Sequence, residues 1–326
     1  MTVSSKNTFE FVSFSAKDLV NFTSKREGEI KIGESIVDSE NTAKKFVILG
    51  ICEDLGPQAN GGNAGAKSAF SAFLPKFLSM QSNAFLDGKG ILIPGFINQI
   101  EIEIPNFDSS PNCINELDDF VLKILSPYLD KGYTPIVIGG GHNNAYPILK
   151  SFSTVLKKAI SVVNCDAHAD FRKRDFRHSG NPFSYAFYEN CISKYAVLGL
   201  HQSYNNQFIL DELKTNEFFV SYYDDYVLGQ ENFGSDFEGV INYFGHSNFG
   251  VEFDMDSIAY MPSSASSPSG ISLKEARMYV SFFARKQEVL YLHLPEAAPK
   301  SKKDELYVGK SLAYLVSDFI KNYKRD

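Results

Sequence analysis

Only four cysteines occur in 326 residues, at positions 52, 113, 165 and 191, and no two stand as Cys-x-x-Cys. That excludes a dense disulfide framework and suits reduced thiols in a cytoplasm. Excess positive charge is missing too. The 32 Lys and Arg against 39 Asp and Glu leave a net charge of −7, with a pI near 5.5. "KKFVILG" and the C-terminal "KNYKRD" read as solvated ends of elements, so a nucleic-acid partner is not expected. No apolar run reaches the ~18 residues of a membrane span. The opening "MTVSSKNTFEFVSFSAKD" has no basic region leading into an apolar one, so neither a membrane partner nor a secretory signal is expected, and a cytoplasmic location is.

The chain does contain eight short apolar, β-branched or aromatic runs, at 46–51, 90–95, 134–140, 159–166, 195–200, 217–222, 249–256 and 288–294. Most are continuous rather than alternating, as in strands covered on both faces of a parallel sheet. Helix-length segments lie between them. In "INELDDFVLKILSPYLDKG", Leu117, Phe120, Val121, Ile124 and Leu125 recur at a helical period. "SLKEARMYVSFFARKQ" starts at Ser272 with Glu275 three residues on, a capping-box pattern. Strands alternating with helices predict an α/β fold, a single-domain three-layer α/β/α sandwich with a mostly parallel sheet of about eight strands. Residues 1–45 are more polar and weakly periodic, an N-terminal elaboration of one domain over 1–326. No linker divides the rest. The Ser/Pro-rich "MPSSASSPSG" at 261–270 follows a strand closely, where active-site loops sit in open α/β sheets.

Polar residues collect where these strands end. The third run closes in "GGGHNN" with His142, and the fourth in "NCDAHADFR" with Asp166, His168 and Asp170. The seventh closes in "FDMDSI" with Asp254 and Asp256, and the eighth in "LPEAAP" with Glu296. Successive strand side chains alternate faces, so Cys165 should point away from Asn164 and Asp166 into the core. Each motif alone has a plain structural reading: a polar strand end, a tight turn, a satisfied histidine. Together they bring two histidines and five carboxylates to one edge of the sheet, outside the carboxyl ends of the strands, where ligands bind. Carboxylates and imidazoles without thiolate suit a hard or borderline divalent ion such as Mn²⁺. Two such ions can share a bridging hydroxide and hydrolyse an unreactive carbon centre near neutral pH.

"GGGH", "DAHADFR", "FDMD" and the E-x-x-P of "PEAAP", in that order over about 46–300, resemble the ureohydrolase family of arginases, agmatinases and formimidoylglutamases. "ICEDLGPQANGGNAGAKSAFSAFL" is similar to the family's first loop. The resemblance implies an arginase-like fold and two Mn²⁺ ions per subunit. His142, Asp166, Asp170 and Asp254 would bind one ion, and Asp166, His168, Asp254 and Asp256 the other. Asp166 and Asp254 would bridge the pair. It also implies that Asp170 moves a proton, that Glu296 receives the substrate's amidine or guanidinium nitrogen, and that the subunits form a trimer or hexamer.

Within the family, "SGNPF" (Ser179, Asn181) and Arg172 look like formimidoylglutamase. Arginases have a histidine where Phe183 stands and usually asparagine where Arg172 stands. Arg172, Ser179, Asn181 and Glu296 are therefore the expected substrate contacts, with Arg172 pairing a carboxylate on the substrate tail; its plain alternative is a surface or subunit-interface ion pair. The implied reaction is hydrolysis of N-formimidoyl-L-glutamate to L-glutamate and formamide, in histidine degradation. Alternatives are an arginase, agmatinase or guanidinobutyrase, a one-zinc deacetylase on the same fold, or a non-catalytic scaffold. Three departures from the family pattern bear on the substrate: Ala259 and Tyr260 replace a third Asp and a Pro, Tyr204 stands near where arginases are acidic, and "SPSG" replaces a Gly-rich loop.

Overall fold

A computed structural model describes residues 8–36, 45–100 and 110–324. All eight runs form strands: β2 (Phe46–Cys52), β3 (Ile91–Gln99), β4 (Thr134–Ile138), β5 (Ile160–Cys165), β6 (Ile192–Leu200), β7 (Phe219–Tyr222), β8 (Phe249–Phe253) and β9 (Val289–Leu294). A ninth, β1 (Phe9–Ser13), comes from the segment read as an N-terminal elaboration. It pairs antiparallel with β3, while every other pairing is parallel. The rest of that elaboration falls partly on 1–7 and 37–44, outside the described residues, as do the last two residues of "KNYKRD".

The sheet order is β1-β3-β2-β4-β9-β8-β5-β6-β7. The interior strands β2, β4, β5, β8 and β9 are buried along their whole length, which explains their unbroken apolar runs. Helices Ala69–Leu78, Asp236–Phe244, Leu273–Ala284 and Lys302–Asn322 cover one face. Helices Ser110–Asp130, Ala145–Leu156, Pro182–Tyr188 and Gln207–Thr215 cover the other. The capping box is present: the Glu275 amide donates to Ser272 Oγ at 3.2 Å, and the Ser272 amide donates to the Glu275 carboxylate at 2.7 Å. Cys165 is buried in the core on the face shared with Val163, opposite Val162, as its strand parity predicts. Among the described residues no helix is long and apolar enough to cross a membrane.

β4 and β8 stop two or more residues before their apolar runs do. β4 ends at Ile138 because Gly139 and Gly140 turn into left-handed backbone, at φ 87° and 68°, which glycine adopts without strain. β8 ends at Phe253, where the Asp254 side chain accepts the Asp256 amide at 2.7 Å and starts a tight turn. These turns lift His142, Asp254 and Asp256 off the sheet edge.

Candidate metal centre

The strands bearing His142, Glu296, Asp254 and Asp166 are β4, β9, β8 and β5, which are consecutive neighbours in the middle of the sheet. Backbone pairing continues past their ends. The Asp254 amide donates to the Cys165 carbonyl at 3.0 Å, and the Glu296 amide to the Gly140 carbonyl at 2.9 Å. The functional side chains thus inherit the register of the sheet.

His142 Nδ1 lies 3.3 Å from Asp166 Oδ2, 3.0 Å from Asp170 Oδ2 and 3.1 Å from Asp254 Oδ2. None of these is aligned as a hydrogen bond. His168 Nδ1 lies 3.5 Å from Asp166 Oδ1 and 3.3 Å from Asp256 Oδ2. The six expected ligands therefore converge as two clusters, His142–Asp166–Asp170–Asp254 and Asp166–His168–Asp256. Asp166 belongs to both. Asp254 joins only the first, and its Oδ1 accepts the Asp256 amide. Asp170 and Glu296 sit at φ 46° and 70°, conformations rare for non-glycine residues and concentrated at functional sites.

The donor set fits a pair of divalent cations. A buried nitrogen ringed by three oxygens, with no hydrogen bond to any, is arranged as a ligand. Four aspartates share one small volume with only two imidazoles, so the cluster takes up cations or protons. Burial, with Asp256 and Asp166 beside it, raises the Asp254 carboxyl well above the usual range. Burial and the neighbouring Asp166 push Asp170 up to about 6, and burial pushes Glu296 up to about 8.

The clusters open into a cavity of about 190 Å³ with His168, Asp170, Asp254 and Asp256 on its floor. Glu296 forms one wall. Its Oε1 accepts the His142 amide at 2.7 Å, and its Oε2 accepts the Ser264 hydroxyl. Arg172, Ser179, Asn60 and Tyr204 also line the cavity. Among the described residues the Arg172 side chain has no hydrogen-bond or ion-pair partner. Ser179 is buried, with Asn60 Nδ2 donating to its hydroxyl at 3.3 Å.

Asn181, expected as a substrate contact, does not line the cavity. Its amide group is used within its own loop: Oδ1 accepts from Arg177 and from the His178 amide, and Nδ2 donates to the carbonyls of Lys173 and Phe176. Phe183 is fully buried, with its ring 5.1 Å from His142 and 4.7 Å from Tyr195. It supports a ligand from behind and does not face the cavity. Tyr204 stacks on His168 at 5.4 Å and on His201 at 4.9 Å, and its hydroxyl is 3.3 Å from Ser267 Oγ. The Ser/Pro-rich loop thus contacts Glu296 through Ser264 and Tyr204 through Ser267.

Three supporting groups were not anticipated from the sequence. Glu252 on β8 and His293 on β9 are register partners, both fully buried. Glu252 Oε2 lies 2.6 Å from His293 Nδ1 and 3.5 Å from His142 Nε2, while its Oε1 accepts the Tyr291 hydroxyl at 2.6 Å. Burial opposes its charge, but His293 and His142 hold its carboxyl down at about 2. A carboxylate behind a ligating imidazole fixes the ring's tautomer and orientation. Glu53, also buried, accepts the amides of Leu55, Gly56 and Gly141 and the Asn144 side chain, so it ties the first loop to the His142 turn. Arg177 forks onto Asp118 at 2.9 and 3.2 Å and also donates to the Asn143 carbonyl at 2.8 Å. A glutamate or histidine inside an otherwise apolar strand run, as in "GVEFD" and "YLHLP", was the available signal for the first group.

Known proteins resemble this chain in sequence and in fold. A model of the arginase family matches residues 44–318. A formimidoylglutamase of Streptococcus pyogenes is 27% identical over 197 residues, covering 57% of this chain and 56% of that one. The chain thus matches just over half the length of such curated relatives. Among solved structures, a Trypanosoma cruzi formiminoglutamase with Mn²⁺ superposes with a TM-score of 0.73 at 20% identity, over 91% of this chain and 100% of that one. A Bacillus subtilis formimidoylglutamase gives 0.74 at 17% identity, over 91% and 93%. A proclavaminate amidino hydrolase from Streptomyces clavuligerus gives 0.71 at 17% identity, over 92% and 100%.

Proposed function

Given that this chain belongs to the arginase family, we propose that it is a two-manganese hydrolase that splits N-formimidoyl-L-glutamate and water into L-glutamate and formamide, a step of histidine degradation. The observation that carries the reading is Arg172. Its guanidinium is unpartnered among the described residues and lines the same cavity as Asp170, Asp254, Asp256 and Glu296. A substrate with an amidine at one end and carboxylates at the other matches that polarity. Arginine and agmatine put no second carboxylate or no carboxylate at all toward such a group, and Phe183 offers no imidazole to the cavity.

His142, Asp166, His168, Asp170, Asp254 and Asp256 would hold the ions. When bound, two divalent ions supply Lewis acidity and lower the pKa of water toward neutrality. The chain's own residues do the rest. Glu296, fixed by the His142 amide and Ser264, receives the amidine nitrogen and sets the carbon against the attacking water. Asp170, which lines the cavity beside Asp254 and Asp256, is placed to take a proton from water and return it to the leaving amine. Arg172 holds the tail bidentately, with Ser179 and Asn60 beside it. Asn181 shapes the loop that presents Ser179. The four cysteines are free, in keeping with a cytoplasmic enzyme, which we expect to be a homo-oligomer.

The test couples metal analysis of the purified protein with product assays on formimidoylglutamate, arginine, agmatine and guanidinobutyrate. Formamide from the first with two Mn²⁺ per chain is expected; urea from arginine instead would replace this reading with an arginase. Arg172→Ala should raise KM about tenfold or more with kcat little changed, since a tail contact acts alike in ground and transition states. Asp254→Ala and His168→Ala should lose both metal and activity while the fold persists.

A further inference from the structure

Beyond Arg172 the same loop continues with Lys173 and Arg174, and all three are exposed. They line a second, open cavity of about 530 Å³ together with Tyr188, Phe208 and Glu212, and Arg172 is common to both cavities. Among the described residues none of the three cations has a carboxylate oxygen within 4.0 Å. Aromatic rings hold the two outer ones in place: Lys173 Nζ is 5.0 Å from the Phe208 centroid, and Arg174 Cζ is 4.0 Å from that of Tyr188.

The backbone beneath them is fixed as well. The Arg172 amide donates to the Gly180 carbonyl at 3.0 Å. The Ser184 hydroxyl donates to the Arg172 carbonyl at 2.8 Å, and Asn181 Nδ2 to the Lys173 carbonyl at 3.2 Å. Nearby acids reduce the run without cancelling it: Asp175 and Glu212 keep their charge while accepting the Phe176 amide at 2.8 Å and the Tyr188 hydroxyl at 2.6 Å, which leaves three cations against two carboxylates. This is a positive patch on a chain of net charge −7, beside a cavity lined by four carboxylates, Asp170, Asp254, Asp256 and Glu296. An anion approaching that cavity is repelled by most of the surface, and a local cationic rim focuses it.

We propose that Lys173 and Arg174 form a cationic vestibule that gathers carboxylate-bearing substrates and passes them to Arg172. This rests on the substrate reading above. It adds a rim that acts at a distance, through charge, and takes no part in the chemical step.

The test compares wild type, Lys173→Gln/Arg174→Gln and Lys173→Glu/Arg174→Glu at low and high salt, on formimidoylglutamate and on a formamidine that bears no carboxylate. At about 10 mM ionic strength the charge-reversed protein should lose about five- to tenfold in kcat/KM, as expected for a four-unit charge change roughly 10 Å away in water. Its kcat should be unchanged, and the glutamine pair should fall midway. Near 0.5 M salt the three proteins should converge to within about twofold on both substrates; at low salt the formamidine, an amidinium cation at neutral pH, should show the opposite order, with charge reversal raising its kcat/KM. Equal kcat/KM at low salt, or a loss that persists at high salt, overturns the vestibule. If wild type releases no formamide, the substrate reading fails separately. The vestibule is then judged by calorimetric binding of L-glutamate to the same three proteins: a charge-graded, salt-sensitive loss supports it, and equal affinity overturns it.

Discussion

Glu252 never reaches the cavity, yet its carboxylate stands 3.5 Å behind the Nε2 of the fully buried His142. Its three partners, Tyr291, His293 and His142, come from β9 and from the turn after β4. Glu252→Gln keeps the shape and removes the charge, so His142 loses its anionic partner. Metal affinity should fall about 10- to 100-fold, read by calorimetry with Mn²⁺; unchanged affinity would show that the network only fills space. Glu252→Ala should cost about 3–5 kcal/mol of stability in urea, since His293 and Tyr291 are left buried and unpaired. The contrast with Asp166, His168 and Asp170 explains what could be read in advance. Those residues follow one strand within five positions, and strand parity plus edge placement are local properties of sequence. The Glu252–His293 pairing depends on β8 and β9 lying side by side, which neither segment encodes alone. Asn181 misled for a related reason. Its neighbour Ser179 does reach the cavity, but a loop's internal hydrogen bonds decided which side chain faced inward.

The connecting segments are held by close packing that tolerates little change. Gly56, in the helix Leu55–Ala59, lies against the turn that carries His142, and a Cβ there would come within 1.7 Å of Asn143 Oδ1. Gly56→Ala should therefore displace that turn and lower metal retention, measured as Mn²⁺ content after gel filtration, with secondary structure unchanged by circular dichroism. Full metal content would mean that Asn143 can move aside without disturbing His142. The Ser179 loop has its own sensitivity. Burial lowers the His178 ring to about 4 from an ordinary 6.5, and its Nδ1 accepts the Gly180 amide at 3.0 Å. Above pH 6.5 the ring is neutral in both the folded and unfolded chain. Between 6.5 and about 4 only the unfolded chain takes up the proton, so stability is lost as pH falls through that window. Wild type should lose about 2 kcal/mol more than His178→Gln between pH 6.5 and 5. Parallel urea midpoints for the two proteins would remove His178 from the account. At this scale the eight parallel strands were readable from their apolar runs. β1 was not, because "FEFVS" buries only Phe9 and stands in a polar, weakly periodic segment.

For the whole molecule, the cluster of aspartates makes folding and metal binding one problem. Without cations its mutual repulsion opposes the native sheet edge; with them it is stabilising. Chelation should lower Tm, and Mn²⁺ at 100 times its Kd should restore about 2.7 kcal/mol, followed by scanning calorimetry. Because binding displaces protons from Asp170 and its neighbours, metal affinity should rise with pH across the range around 6. A Tm indifferent to chelator would separate the cluster from the fold's stability. The sheet's two outer strands have a different consequence. β1 and β7 are only five and four residues long, whereas the strands beside them, β3 and β6, each run to nine. A short border offers another chain few free backbone groups to pair with, so copies of this protein should not extend one another's sheets into fibrils. Assembly is left to the helical faces and the loops.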